Sequence, residues 1–266
     1  MLMVVKNQIK VQLITIKYAI QREFLNKVTF FSNIFFMILN NASFIIQWII
    51  LYSIKDNVGG YKFSEILLLW GLASGTYGIS HFFFKDVFDL TEIINTGKLD
   101  NYLIQPKNIL ISSITSNVEV SALGDIIYAY IMLTLYGITI ERLLLFTLFI
   151  TTGGLVLTSL AVIVASLSFW FGRVEIFANS ANSMMTNFAT YPDGIFKGFI
   201  KLLFYTIIPL EFVNYIPIKT LINFDIFNFI IIILVCTIFI SLAFIIFYKG
   251  LKKYSSSNLM NARIWY

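Results

Sequence analysis

The stretch FIIIILVCTIFISLAFIIFY, residues 229–248, runs for twenty positions without one charged side chain. A helix needs about 20 mostly apolar residues to cross the hydrocarbon core of a bilayer, so this segment reads as a membrane span. The composition of the whole chain agrees. Hydrophobic residues fill 58% of the 266 positions and charged residues 12%, against roughly 25% charged in a soluble domain. With a mean hydropathy of +0.83, the chain lacks the polar surface that a soluble fold of this size needs to cover its core.

Five more apolar runs lie near residues 30–53, 63–84, 112–137, 143–170 and 196–217, and the charge-free stretch sits inside a sixth at 226–248. The third holds Glu119 and Asp125, and the fifth is interrupted by Pro209 and Glu211. Cytoplasmic flanks of spans carry an excess of Lys and Arg. With the N-terminus inside, fifteen of the nineteen basic residues fall on inner segments, Lys197, Lys201 and Arg263 among them. Lys55, Lys62, Arg142 and Lys219 fall outside. Both termini are therefore expected in the cytoplasm. This topology accounts for the net charge of +5, so nucleic acid is not expected as a partner. The expected fold is all-α: one polytopic membrane domain over residues 1–266 with six transmembrane helices.

Residues 1–28 are too charged to span, yet Ile9, Leu13, Ile16 and Ile20 recur at helical spacing beside Lys6, Lys10, Lys17 and Gln21. That pattern predicts an N-terminal helix lying in the membrane interface. No apolar core followed by a small-residue cleavage site marks the segment as a signal peptide.

Between the second and third runs, residues 85–108 are unusually polar and face the cytoplasm in this topology. Val87, Leu90, Ile93 and Ile94 share one helical face, and Asp89, Glu92 and Asn95 share the other. Gly97 stands where a helix stops, and Pro106 biases Gln105 away from helical geometry. A short amphipathic helix with an acidic outer face is expected, serving either as a solvated loop or as a docking element.

Three blocks resemble one branch of the type-2 ATP-binding-cassette (ABC) exporter permeases. INTGKLDNYLIQP (94–106) is similar to the glycine, leucine-aspartate and leucine-x-x-proline pattern after that branch's second span. YPDGIFKGFIKLLFYTIIPLEFVNYIPIKTL (191–221) resembles its tyrosine-proline segment and the following proline, asparagine-tyrosine and proline turn. FYKGLKKYSSSN (247–258) resembles its basic, tyrosine-serine close. The resemblance implies a six-span permease that pairs with a second permease chain, identical or related, in the inner membrane of a bacterium. Two cytoplasmic ABC ATPase subunits would carry the ATP and Mg²⁺ and press on the loop after the second span. By that analogy Asp86, Asp89, Glu92, Lys98, Leu99, Asp100 and Tyr102 form a coupling helix.

No enzyme chemistry is expected on this chain. It contains no G-x-x-x-x-G-K-[ST] phosphate cradle, no G-x-S-x-G and no H-E-x-x-H. His81 and Cys236 are each the only residue of their type, so no metal site is expected either. Ionisable groups within spans are costly and mark function by default. Asn117, Glu119, Ser121, Asp125 and Tyr128 on the third run, with Asn40 and Asn41 on the first, are the expected translocation path. The alternative for Glu119 and Asp125 is structural: water near the surface for one, a neighbouring helix for the other. Gly71, Gly75 and Gly78, and Gly154 on the fourth run, predict close helix packing. The segment 172–194 is expected on the inner side, as an interfacial or re-entrant helix. Cargo is expected to be amphipathic or hydrophobic and stays unidentified. The competing functions are an ion-coupled secondary transporter, with Glu119 and Asp125 carrying the ion, and a membrane scaffold without transport.

Overall fold

The computed structural model describes residues 2–206 and 208–255. Arg263 and residues 256–258 of the terminal block lie outside the described residues, as does residue 207 within the expected fifth span. In chain order the helices are α1 (Leu2–Phe24), α2 (Lys27–Tyr52), α3 (Phe63–Phe84), α4 (Leu90–Asn95), α5 (Asp100–Leu103), α6 (Ile109–Ile114) and α7 (Ala122–Tyr136). They continue as α8 (Ile140–Ser166), α9 (Ser168–Phe171), α10 (Glu175–Phe188), α11 (Gly198–Thr206), α12 (Ile216–Ile222) and α13 (Ile226–Leu251). Among the described residues no strand forms, and the chain is an all-α polytopic membrane protein.

Local chemistry sets the helix starts. Asn26 accepts from the Thr29 N–H (3.2 Å) at α2, Thr139 from Arg142 (3.2 Å) at α8 and Asp225 from Phe227 (3.0 Å) at α13. Each satisfies a backbone donor that the helix itself leaves unpaired. By length and composition four helical segments suffice to cross a membrane: α2, α3 with its continuation to Asn95, α8 with α9, and α13. The apolar stretches of α3 and α8 are 78% and 72% buried, against 17% for α2 and α13. The first pair is thus the centre of the bundle, and the second turns its apolar surface outward. At one end of the bundle lies the loop of residues 53–62; at the other lies α4. We call them the loop end and the ledge end.

The glycine face of α3 lies against its neighbours. A Cβ at Gly75 would lie 2.6 Å from Ile150 Cγ2 and 3.1 Å from Ala129 Cβ, and one at Gly78 would lie 3.0 Å from the Ile126 backbone nitrogen. A Cβ at Gly71 would lie 3.1 Å from Met132, and one at Gly154 would lie 2.7 Å from Ile79. α3 is therefore wedged between α7 and α8, and only the missing side chains allow that approach.

Two expectations are corrected. The third run is not one helix: α6 stops at Ile114 and α7 starts at Ala122. Within the interruption Asp86 accepts from the Asn117 backbone N–H (2.8 Å) and side-chain amide (3.0 Å). Fifteen residues of α7 span only about 22 Å at 1.5 Å per residue.

The second correction exchanges two segments. Residues 172–194 do not stay at the ledge end. α10 begins beside α4, where Ala178 and Asn179 share a cleft with Thr91 and Asn95. It ends near the loop end, where the Tyr191 ring meets Trp48 (centroids 6.0 Å apart) and Gly194 abuts Gly59. Residues 196–217, in turn, are not a straight crossing: α11 and the turn leading into α12 meet at 73°. Pro209, which has no N–H to continue a helix, sits in the break. Leu210 and Val213 reach Ala73, Thr76 and Leu157, well inside the bundle, while Lys201 and Lys219 both approach Asp193 near the loop end. The bent unit thus enters from the loop end and returns to it. α13 then descends parallel to α8, with Phe229 near Phe149, Cys236 near Thr152 and Phe247 near Phe169.

Candidate functional site

At the ledge end α3 passes through a tight turn, Lys85–Val87, into α4. Val87, Leu90, Ile93 and Ile94 are buried with Ala161, Ala165 and Phe247, as their spacing predicts, and Leu99 joins them at 0% exposure. Asp86 is buried too, held by Asn117. Asp100 accepts from the Tyr254 hydroxyl (2.8 Å), and the Tyr102 hydroxyl meets Ser116 (2.8 Å). Of the seven expected coupling residues, Asp89, Glu92 and Lys98 point outward, while Asp86, Leu99, Asp100 and Tyr102 fasten the segment to the bundle. Lys98 donates to Glu92 at 2.7 Å, and that hydrogen bond raises the lysine's pKa. Partial burial, then the neighbouring carboxylates Asp86 and Glu92, push the Asp89 carboxyl above its ordinary value.

Farther from the ledge, α2, α3, α7 and α10 line an open cavity of about 490 Å³. Asn40, Asn41, Ser74, Asp125 and Thr186 supply its polar lining, and Phe44, Trp48, Trp70 and Tyr191 an aromatic one. Asn41 donates to Asp125 Oδ1 at 2.6 Å, and the other carboxylate oxygen has no partner among the described residues. Such a mixture of apolar walls and a few convergent polar groups is the usual make-up of a small-molecule site.

The expected polar strip is dispersed. Asp125 joins Asn40 and Asn41 in the cavity, whereas Asn117, Glu119 and Ser121 sit in the interruption between α6 and α7. Glu119 pairs there with Lys85 (3.1 Å) and accepts from Ser121 (2.8 Å). Tyr128 is 1% exposed in the apolar core. His81 is stacked between the rings of Tyr77 and Phe88, at 3.6 and 4.0 Å, which is a packing role.

A bundle with an interior glycine wedge, a cavity at depth and an acidic ledge clamped to one end invites comparison with transporter families. Residues 13–258 match the family model described as ABC-2 family transporter protein. The chain belongs to the ABC-2 transporter family. No curated protein and no solved structure matches it. As an ABC-2 permease it is the membrane component of an ABC transporter, in a family whose ATP hydrolysis typically lies on a partner ATPase subunit. The matched range takes in the ledge, the cavity and the bent unit at the loop end.

Sequence reasoning missed one cluster of this ABC-2 permease. Asp193 and Glu211 are 8% and 2% exposed, and Lys219 lies 3.5 Å from the first and 3.3 Å from the second. The only signal was Glu211, a charge inside an apolar run. Asn214 and Tyr215 next to it hold the end of α10: the amide donates to the Ala189 carbonyl (2.7 Å), and the hydroxyl donates to those of Phe188 (3.1 Å) and Tyr191 (3.0 Å). The bent unit therefore binds carbonyls at and just beyond the end of α10.

Proposed function

We propose that this permease is the membrane subunit of an exporter in the inner membrane of a bacterium, with both termini cytoplasmic. Two permease chains, identical or related, pair, and two cytoplasmic ATPase subunits bind ATP and Mg²⁺ and act on the ledge. Closure of the ATPase pair biases two conformations of the bundle, and an amphipathic or hydrophobic cargo crosses by alternating access. One observation carries this reading. The outward carboxylates Asp89 and Glu92 sit on a segment whose other face is locked into the bundle by Leu99 and by Asp86 with Asn117. Displacement applied to such a segment moves helices, where a loose loop would absorb it.

Replacing Asp89 and Glu92 together by lysine tests the assignment. The double variant is expected to insert normally and to lose the co-purifying ATPase. Undiminished co-purification would reject the ledge as the docking element. The unpartnered oxygen of Asp125 favours one second reading, ion-coupled transport. Transport by permease alone, abolished by an ionophore, would establish that reading instead.

A further inference from the structure

We propose that the cleft between α4 and the start of α10 is a socket for one basic side chain of the ATPase subunit, and that through it the partner moves α10 as well as α4. This rests on the permease reading above and adds a second wall to the docking surface, one that the sequence did not suggest. The cleft has a volume of about 510 Å³. Asp89, Thr91 and Glu92 line one side, and Arg173 and Glu175 line the other.

Three observations fix the kind of occupant. Thr91 is 3% exposed, and its hydroxyl has no partner among the described residues, an arrangement that costs free energy until a donor reaches it. The walls carry three carboxylates against one guanidinium. Only Glu92 is engaged in an ion pair among the described residues, with Lys98. A guanidinium or ammonium entering the cleft would donate to Thr91 and pair with Asp89 and Glu175. An acidic side chain would be repelled.

The two walls are already joined, since the Asn95 amide donates to the Gly172 carbonyl at 3.4 Å. Gly172 makes this turn with φ of +72°, a conformation open chiefly to glycine. A side chain held between the walls therefore pulls on α10. That helix carries Thr186 and Asn187 into the wall of the 490 Å³ cavity, so motion at the socket changes the cavity's shape.

The test titrates full-length permease in phosphatidylcholine nanodiscs with the purified ATPase that co-purifies with it. Glu175→Gln is expected to weaken binding by about tenfold or more, as loss of a desolvated charge partner does. Thr91→Val, nearly the same shape without the hydroxyl, should weaken it as well. Arg173→Gln should strengthen binding, because it removes the cation that competes for the cleft, and misfolding cannot produce such a gain. Reversing one arginine or lysine of the ATPase to glutamate should restore binding to Glu175→Arg. Wild-type affinity in both Glu175→Gln and Thr91→Val, or weaker binding in Arg173→Gln, would overturn the socket while leaving the permease reading intact. If wild-type permease binds no ATPase, the permease reading fails and takes the socket with it.

Discussion

Asp86 and Asp89 are three positions apart and have opposite fates. Asp86 is 5% exposed and accepts from the Asn117 backbone and amide, so it is the fastening. Asp86→Ala leaves a backbone donor of Asn117 without its partner and is expected to cost about 1–3 kcal/mol. Thermal unfolding of the purified permease measures it. Asp89 faces outward with its carboxyl raised above the ordinary 3.8. In a group so shifted the neutral form is favoured by folding, and the stability it confers is complete below pH about 3.8 and lost as pH rises through the raised value. Asp89→Asn is therefore expected to melt higher than wild type at neutral pH, with the difference vanishing in acid. An equal gap at both extremes would show that charge is not the cause.

Helix contacts in this bundle depend on what is missing from α3. At Gly78 the obstacles to a Cβ include backbone atoms of α7, the Ile126 nitrogen at 3.0 Å and the Ala122 carbonyl oxygen at 3.1 Å. Gly78→Ala gains about 1 kcal/mol in helix propensity but forces two backbones apart, for which overpacking costs of about 1–3 kcal/mol are the guide. Net destabilisation is expected, read as a lower melting temperature. The effect should exceed that of Gly75→Ala, where the nearest obstacles are the side chains of Ile150 and Ala129. α10 owes its place to similar complementarity. Ala178, Met185 and Ala189 are buried in the core, and Asn214 and Tyr215 close its end.

The path of the chain through the bundle puts Lys197 and Lys201 at the loop end with Lys55 and Lys62, where the count of basic residues had put them at the other. Twelve of the eighteen basic residues within the described range then remain on the ledge side, so the bias keeps its sign. Lys197 is exposed, which makes the difference measurable. In a Cys236→Ser background, Lys197→Cys is expected to react with an impermeant maleimide added outside intact cells. Reaction only after the membrane is opened would restore residues 196–217 as the fifth crossing.

Hydropathy and helical periodicity sufficed for most of the architecture. The bounds of α2, α3, α8 and α13 lie close to the apolar runs, because a lipid solvent rewards long uncharged helices whatever they pack against. The acidic face of α4 and its buried face were legible from alternation on one helix, and the small-residue face of α3 from glycine spacing. Tertiary structure alone decided the rest. In the break of the third run the Asn117 N–H bonds Asp86, 31 positions away, instead of a helix carbonyl. The polar segment 172–194, with α10 inside it, runs from the ledge end to the loop end because Ala178 and Met185 fit the core and the carbonyls of Phe188, Ala189 and Tyr191 found Asn214 and Tyr215, partners 24 to 27 positions away. Asp193, Glu211 and Lys219 met only because the chain folds back at Pro209. Local pattern records what a segment can bury; where its unpaired polar groups find partners is set by residues distant in sequence, and those partners chose the crossing.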